Sequence, residues 1–283
     1  MFILLSALCF GSYGIWSKLM AGSMNDFFQG WTRSLFILAL LAIPAFKTRA
    51  ITPFSAREMP WMLAYSVPGA LVIPLFFYGF TALPIGIATL SFYAMLTITG
   101  YILGATVFAE RMTKRKIAAM VLGLVGLILV AGVRYSLSPS SLLPLLACCI
   151  AGICGGVEVV LTKKLSGTHS PIQLTMVLYV MALLQCIVFE LIVYNGTITF
   201  PTNPVAWMGN IAHAVASAAA FLLVVSGYKR TSAMVGSIIG LMEIPFGILF
   251  GLIIFHEPIT WSITVGMVCI ATAALLPVIN TRK

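Results

Sequence analysis

The sequence has very few charged residues: Asp, Glu, Lys and Arg together make up 8% of its 283 residues, whereas apolar residues make up 61%. Its mean hydropathy is +1.09. A soluble domain of this length needs far more charge to cover its surface. The composition therefore excludes a soluble protein and predicts that the lipid bilayer is the principal solvent of the chain.

The residues and motifs that identify common enzymes are also missing. The three histidines, His169, His213 and His256, are isolated, and their spacing does not fit a metal site. The pair His256-Glu257 lacks the second histidine of a zinc-binding helix, and there is no Walker loop, dinucleotide fingerprint or G-x-S-x-G elbow. We therefore predict that the protein is not an enzyme and has no catalytic residue, no metal site and no cofactor.

The cysteines do not fit a disulfide framework. All six lie inside apolar segments, and none has a partner at a plausible spacing in a loop. We interpret them as small apolar residues of the helix interior. They are Cys9, Cys148, Cys149, Cys154, Cys186 and Cys269.

Ten apolar segments are long enough to cross a bilayer as helices, because about 20 apolar residues span the hydrocarbon core. Helices are the only candidates, since the strand-type alternation is absent and lipid-exposed backbone must be satisfied internally. Connections between them are short and leave no room for a soluble domain. The predicted helices are 2–20, 27–46, 60–81, 85–108, 116–133, 142–163, 171–194, 205–227, 231–254 and 259–279.

The basic residues are distributed unevenly between the two sides of these segments. Thirteen of the 16 Lys and Arg residues fall on the side of the N-terminus. Only Lys18, Arg33 and Arg134 fall on the other side or at helix ends near it. The positive-inside rule then places both termini in the cytoplasm, and we predict the bacterial inner (plasma) membrane. Cytoplasmic loops beside anionic lipid account for the net charge of +9, so no nucleic-acid partner is predicted.

The chain contains an internal repeat of about 147 residues. Met95 aligns with Met242, Glu110 with Glu257, and Thr113 with Thr260. Each copy holds five predicted spans, an odd number, so the second copy must enter the bilayer from the opposite side. We predict one all-α membrane domain built from two inverted five-helix repeats, residues 1–135 and 136–283. This arrangement is typical of secondary transporters, whose substrate site lies between the halves.

Glycine and proline positions indicate packing and bends. The pairs Gly100/Gly104 and Gly247/Gly251 are equivalent in the two repeats and predict close helix contacts, as does the pair Gly152/Gly156. Prolines inside helices remove a backbone hydrogen bond. We expect Pro68 and Pro74 to interrupt the third helix and Pro245 to interrupt the ninth, either to line a cavity or to improve packing.

Two carboxylates fall within predicted spans. Glu243 lies in the middle of the ninth helix and Glu158 in the inner half of the sixth. A carboxylate at the bilayer centre costs about 2.5–3.5 kcal/mol, so such residues face the protein interior and mark a substrate or ion pathway. Both are candidate pathway residues and candidate proton-relay groups. The structural alternative for Glu243 is a hydrogen bond across helices beside Pro245.

Aromatic and basic side chains add further candidates. Tyr13 and Trp16 lie one turn apart in the first helix, where they line the pathway or belong to the interfacial aromatic belt. Tyr93 and His213 are weaker pathway candidates. Arg33 lies near the outer end of the second helix, and we expect it to extend towards the surface or to pair with Asp26.

Several motifs resemble those of EamA-type transporters of the drug/metabolite transporter superfamily. They are Gly11-Ser12-Tyr13 followed by Lys18, Glu110-Arg111-Met112-Thr113, Met242-Glu243-Ile244-Pro245 and His256-Glu257-Pro258-Ile259-Thr260. The resemblance covers nearly the whole chain. It implies ten helices, cytoplasmic termini and a cavity lined by the first, third, fourth, sixth, eighth and ninth helices. It also implies export of amino acids or other small metabolites, with or without proton coupling. The essential first-helix glutamate of small multidrug relatives is absent.

The function predicted is that of a secondary transporter that exports a small polar or amphipathic, amino-acid-like metabolite by alternating access. Its expected partners are that small molecule, the lipid bilayer and, if transport is coupled, protons. Nothing in the pattern indicates an oligomeric state. The alternatives are a membrane-embedded enzyme acting on a lipid-linked substrate, and a membrane subunit that does not transport.

Overall fold

The computed structural model describes residues 1–132, 139–198 and 200–278, without the side chains of residues 80 and 81. Secondary structure in these ranges is helical throughout, apart from turns and loops. Arg134, Arg282 and Lys283, which enter the count of basic residues, lie outside the described residues. The helices are α1 (Phe2–Gly11), α2 (Tyr13–Met20), α3 (Asp26–Lys47), α4 (Met59–Ala82), α5 (Ile85–Phe108), α6 (Lys114–Ala131), α7 (Leu142–Leu165), α8 (Pro171–Val193), α9 (Pro204–Tyr228), α10 (Ala233–Gly240), α11 (Glu243–Phe255) and α12 (Trp261–Leu275).

Eight apolar segments of the described chain are long enough to cross a membrane. They are α1 with α2, α3, α4, α5, α7 with the 3₁₀ turn before it, α8, α9, and α10 with α11. The remaining two helices are α6, which starts with three basic residues, and α12, with 15 residues. The all-helical class predicted from the sequence is thus confirmed, and the predicted segments agree with observed helices to within a few residues.

Two of the predicted spans are interrupted. The first breaks at Ser12, whose N–H is shared between the carbonyls of Leu8 and Cys9 and whose carbonyl accepts from Ile15. The second breaks at Leu241 and Met242, where bonds of the tighter i→i+3 type replace the α-helical pattern. Pro245 explains this break because it has no N–H for the Leu241 carbonyl, which accepts from Ile244 instead.

The prolines of α4 do not have the predicted effect. Pro68 and Pro74 lie inside a helix that continues from Met59 to Ala82. The packing of α7 and α8 against α4 accounts for this. Membrane helices tolerate proline where neighbouring helices support the freed backbone groups.

Small residues bring helices into close contact at the predicted pairs Gly100/Gly104 and Gly152/Gly156, whereas a Cβ at Gly251 would meet only the Glu257 side chain. A Cβ atom at Gly152 would lie 2.8 Å from the Met95 Cβ, where α7 crosses α5, and one at Gly104 would lie 3.2 Å from the Met234 Cγ of α10. A third close approach joins the two interrupted segments, since a Cβ at Gly11 would lie 2.9 Å from the Glu243 carbonyl oxygen. These contacts surround a central space rather than filling it.

The ends of α5 and α11 have the same local structure. Ala109 and His256, which follow the two helices, both adopt the left-handed conformation, with φ of 50° and 54°. The next residue donates its N–H to a glycine carbonyl in both cases, Glu110 to Gly104 and Glu257 to Gly251, each at 3.2 Å. A threonine then caps the following helix: Thr113 caps α6 and Thr260 caps α12. The aligned motifs therefore fold alike locally.

Candidate functional site: a central cavity

A cavity of about 630 Å³ lies between the helices and is lined mainly by apolar side chains. This volume is in the range of small-molecule sites. Its wall includes residues from α1, α2, α4, α5, α7, α9, α10 and α11, the segments that the family resemblance implies. It also includes Arg33 of α3 and Leu178 and Tyr179 of α8, two helices that the resemblance does not implicate.

The cavity is open at one end and closed at the other. Its mouth contains Lys18, Ile85 and Glu257, whose side chains are exposed. At the opposite end, the wall contains Ile3 and Tyr228, which are 3% and 2% exposed. The exposure of the wall residues therefore places the mouth of the cavity at Lys18, Ile85 and Glu257 and its closed end at Ile3 and Tyr228.

At the closed end, a carboxylate binds the start of a helix. Glu110 Oε1 accepts the N–H of Ala233 at 2.6 Å, and Oε2 accepts the N–H of Met234 at 3.2 Å. These N–H groups open α10 and have no partner within that helix. Lys116 Nζ lies 3.6 Å from Glu110 Oε2, and the Glu110 side chain is 9% exposed. A negative charge at a helix N-terminus is stabilising, and this contact joins α10 to the end of α5.

At the open end, the corresponding carboxylate makes a different contact. Glu257 forms an ion pair with Lys18, and both side chains are about half exposed. Lys18 Nζ also lies 4.1 Å from the centre of the Phe255 ring. Exposed ion pairs of this kind contribute little to stability. The two ends of the cavity are therefore held with different strength.

Five of the six predicted pathway residues line the cavity: Tyr13, Tyr93, Glu158, His213 and Glu243. They come from five different helices. The Tyr13 ring lies against the His213 ring, with centroids 4.3 Å apart.

Trp16, the sixth predicted residue, does not contribute to the cavity wall. Its ring packs against the buried cluster of Met20, Met24, Phe28 and Ala206, and its Nε1 donates to Ser12 Oγ at 3.1 Å. The prediction assumed that residues one turn apart share a face. The interruption at Ser12 and the packing against α3 and α9 place this ring in a separate cluster.

Arg33 was placed wrongly by the sequence argument. It is 4% exposed and lines the cavity, and its Nη1 lies 3.0 Å from His213 Nε2. Asp26, its expected partner, accepts a hydrogen bond from Gln29 instead. Arg33 lies seven residues into α3, about 10 Å from the helix start, which is too deep for a surface position. This depth was the signal available in the sequence.

Another acidic residue is buried although the sequence suggested nothing of the kind. Glu190 of α8 is fully buried, and its carboxylate accepts hydrogen bonds from Asn25 and Trp31 of the segment that starts α3. It lies outside the cavity wall. The contact fixes the end of α8 against α3 and so supports the wall that contains Arg33.

Comparison with known proteins decides which kind of membrane protein this is. The model of the EamA-like transporter family matches residues 1–132 and again residues 142–279. The chain belongs to the EamA-like transporter family. It is accordingly a multi-pass membrane protein and a transporter of the drug/metabolite transporter superfamily, as the sequence motifs predicted. The two separate matches cover nearly all of the chain.

A solved structure has the same fold. A crystal structure described only as that of a protein aligns with a TM-score of 0.81 over 99% of this chain and 96% of the other, at 15% sequence identity. At this identity the likeness concerns the fold alone. The search of curated proteins found no significant match.

Proposed function

We propose that this family member is a secondary transporter that exports a small polar or amphipathic, amino-acid-like metabolite by alternating access. The observation that carries the proposal is the cavity with unequal ends, closed at Glu110 and open at Glu257. Alternating access requires a site that reaches one side of the membrane at a time.

The proposal takes the chain as ten membrane crossings arranged as two inverted repeats, residues 1–135 and 136–283. The equivalent endings of α5 and α11 support it, as do the two family-model matches along the chain. In this arrangement α6 and α12 are the fifth crossings of the two halves. They pack closely, since a Cβ at Gly126 would lie 2.8 Å from the Gly266 carbonyl oxygen.

The asymmetric use of the two glutamates supports a specific exchange between states. If the two halves are related by inversion, the second state of the transporter is obtained when each half adopts the conformation that the other half has in this structure. Glu257 would then leave Lys18 and bind the first N–H groups of α5, where Pro84 provides no side-chain cap. Glu110 would release α10 at the same time. The Glu110 contact with α10 closes one end of the cavity, and the Glu257 contact with α5 would close the other. The cavity would therefore not open to both sides at once.

Orientation in the membrane follows from the basic residues. With both termini in the cytoplasm of a bacterial cell, the closed end at Glu110 faces the cytoplasm and the mouth at Glu257 faces outwards. The state described is then the one in which an exporter has released its substrate.

Glu158 and Glu243 are proposed as the groups that exchange protons, if export is driven by protons. Both line the cavity on different helices, α7 and α11. Among the described residues, neither forms an ion pair with a basic side chain. A carboxylate in this position can bind a proton or a cationic group of the substrate.

Reconstitution tests the proposal. Purified protein in liposomes should release preloaded amino acids or related metabolites from a mixed panel, and empty liposomes should not. Double replacement of Glu110 and Glu257 by Gln should reduce the rate and leave the family of accepted compounds unchanged, because it removes the closing contacts and not the cavity. Folded protein that moves no compound of a broad panel would contradict the transport function.

A further inference from the structure

Arg33, a basic side chain of the cavity wall, forms no ion pair among the described residues. Arg33 is 4% exposed and faces the cavity. With a limit of 4.0 Å, none of the ion pairs found among the described residues includes it. Arginine stays protonated in proteins. A positive charge is therefore held in the wall without a partner, and removing a charge from water without compensation is costly.

The neighbours of Arg33 hold it in position and do not neutralise it. Its Nη1 lies 3.2 Å from Nδ1 and 3.0 Å from Nε2 of His213, and an imidazole carries no negative charge in either protonation state. The buried carboxylate on the adjacent helix α8, Glu190, is already bound by Asn25 and Trp31. The charge of Arg33 is thus available to a molecule in the cavity.

Other donors at the same place lack partners. Arg33 Nε and the Tyr13 hydroxyl are both buried, and neither has a hydrogen-bond partner within 3.5 Å in the described part of the chain, although the Tyr13 hydroxyl lies near Tyr179 and Ser217. Tyr13 lies against His213, which links it to Arg33. Buried polar groups are almost always satisfied, so each exception calls for an explanation. Ten side-chain atoms of this kind are found among the described residues, and those of Ser6, Tyr13 and Arg33 belong to the cavity wall.

We propose that Arg33, positioned by His213 and accompanied by Tyr13, recognises a carboxylate group of the substrate. This inference rests on the proposed transport function and names the substrate class. The planar guanidinium matches the geometry of a carboxylate. Glu158 and Glu243 line the same cavity and disfavour a doubly charged anion such as a phosphate ester.

The rest of the wall defines the remainder of the substrate. Phe10, Phe76, Phe92 and Phe221 make much of the cavity apolar. The class that fits is a monocarboxylate with an apolar body. An amino group on that body would be accepted at Glu158 or Glu243, so both simple carboxylates and amino acids belong to the class, whereas amides and amines without a carboxylate do not.

Three probes of one shape test the carboxylate requirement. L-leucine carries a carboxylate and an ammonium group, 4-methylpentanoate carries only the carboxylate, and L-leucinamide carries only the ammonium group. Binding is measured with purified protein in detergent by isothermal titration. Wild-type protein should bind both carboxylates at least about tenfold more tightly than leucinamide, since an unmatched buried charge is penalised.

Variants at Arg33 assign the preference to this side chain. Arg33→Gln should abolish the preference for the carboxylates, and Arg33→Lys should keep part of it. Arg230→Gln, which removes a positive charge at the exposed end of α9, is the matched control and should keep it in full. Without ligand, Arg33→Gln should melt at a higher temperature than wild type, because it removes an unpaired buried charge. A purely structural role for Arg33 would give the opposite shift.

Three results would overturn the assignment: equal binding of leucinamide and leucine by wild type, an undiminished preference in Arg33→Gln, or no binding of either carboxylate. The transport function is judged separately in liposomes. If carboxylates bind through Arg33 but never cross the membrane, the transport function is refuted and the carboxylate subsite stands. If leucinamide is transported and Arg33→Gln does not change its transport, the carboxylate subsite is refuted and the transport function stands.

Discussion

Glu110 and Glu257 share one backbone environment and have different side-chain partners. Each follows a left-handed residue and donates its N–H to a glycine carbonyl at 3.2 Å. The Glu110 carboxylate is buried on the first N–H groups of α10, whereas the Glu257 carboxylate pairs with Lys18 at the exposed mouth. Since the local fold is the same, the difference comes from what lies opposite each carboxylate, the start of α10 for Glu110 and Lys18 for Glu257.

The two glutamates should therefore contribute unequally to stability. Glu110→Gln should lower the free energy of unfolding by about 1–2 kcal/mol, because it weakens a charged helix cap. Glu257→Gln should cost less than about 1 kcal/mol, because it breaks an exposed ion pair. Denaturation of both variants in the same micelles measures the difference. Equal losses of unfolding free energy, or a larger loss for Glu257→Gln, would contradict the conclusion that the Glu110 end of the cavity is the closed one.

Neighbouring aromatic residues of α2 should have different effects on transport. Tyr13→Phe removes a hydroxyl from the cavity and should change the relative rates for carboxylate and amide probes. Trp16→Phe removes the hydrogen bond to Ser12 and part of the ring that packs on the cluster around Met20, so it should lower stability and leave those relative rates unchanged. Competition assays in liposomes compare the two. A change in selectivity for Trp16→Phe alone would show that it lines the pathway.

Proton coupling through the cavity carboxylates can be tested by the pH dependence of flux. Glutamine keeps the shape of glutamate and cannot bind or release a proton. If Glu158 or Glu243 carries protons, its replacement by Gln should flatten the pH profile of export and abolish acceleration by a pH gradient. Glu110→Gln, at the end of the cavity, is the control that keeps the profile. Unchanged profiles in both cavity variants would exclude the relay.

One loop carboxylate should give a measurable pH dependence of stability. The Ser55 hydroxyl and N–H donate to Glu58 at 2.7 and 3.0 Å and lower the pKa of its carboxyl. A lowered pKa stabilises the folded state above the unfolded value, about 4.3, and this contribution is lost as the pH falls through the folded value. Glu58→Gln should therefore destabilise the protein at pH 7 and have a smaller effect near pH 3.

The comparison variant for this loop is Ser55→Ala, which removes one of the donors and leaves the carboxylate. It should show the same trend with a smaller amplitude in thermal melts at the two pH values. A Glu58→Gln effect that is constant with pH would mean that the hydrogen bonds from Ser55 do not favour the charged form.

The close approach of α7 to α5 can be tested with alanine. Gly152→Ala would place a Cβ 2.8 Å from that of Met95 and should lower stability by about 1–3 kcal/mol through overpacking. Gly14→Ala meets nothing within 4 Å and should leave stability unchanged or raise it by up to about 1 kcal/mol through helix propensity. Thermal melts in detergent compare the two. Equal effects would contradict the packing at Gly152.

The helices could be predicted because the apolar composition of each segment indicates that it lies in the bilayer. Long apolar segments, their loops and the prolines at helix starts are local properties, and so the ends of α4, α5 and α8 fell within a residue or two of the prediction. The break at Ser12 could not be predicted in this way. It depends on a shared N–H at a position where α1 meets α11, and nothing in the local sequence requires it.

The residues of the candidate site likewise include some that the local sequence could predict and some that it could not. Glu158 and Glu243 could be predicted because a carboxylate in a membrane-spanning segment faces the protein interior rather than lipid. The depth of Arg33 in α3 could have been read from the sequence, but the face on which Arg33 and Trp16 lie could not, because a side chain inside a helix can face lipid, a neighbour or the cavity. That choice depends on the rotation of α3 and α2 against other helices, which a single sequence does not record.

The contact between Gly11 and the Glu243 carbonyl joins the two interrupted spans at their interruptions. Each span consists of two shorter helices, and these meet where the α-helical hydrogen-bond pattern is interrupted. A tilt of α10 with respect to α11 would act on the junction of α1 and α2 through this contact. The pair therefore forms a linked double hinge, which would bend both spans together rather than one after the other.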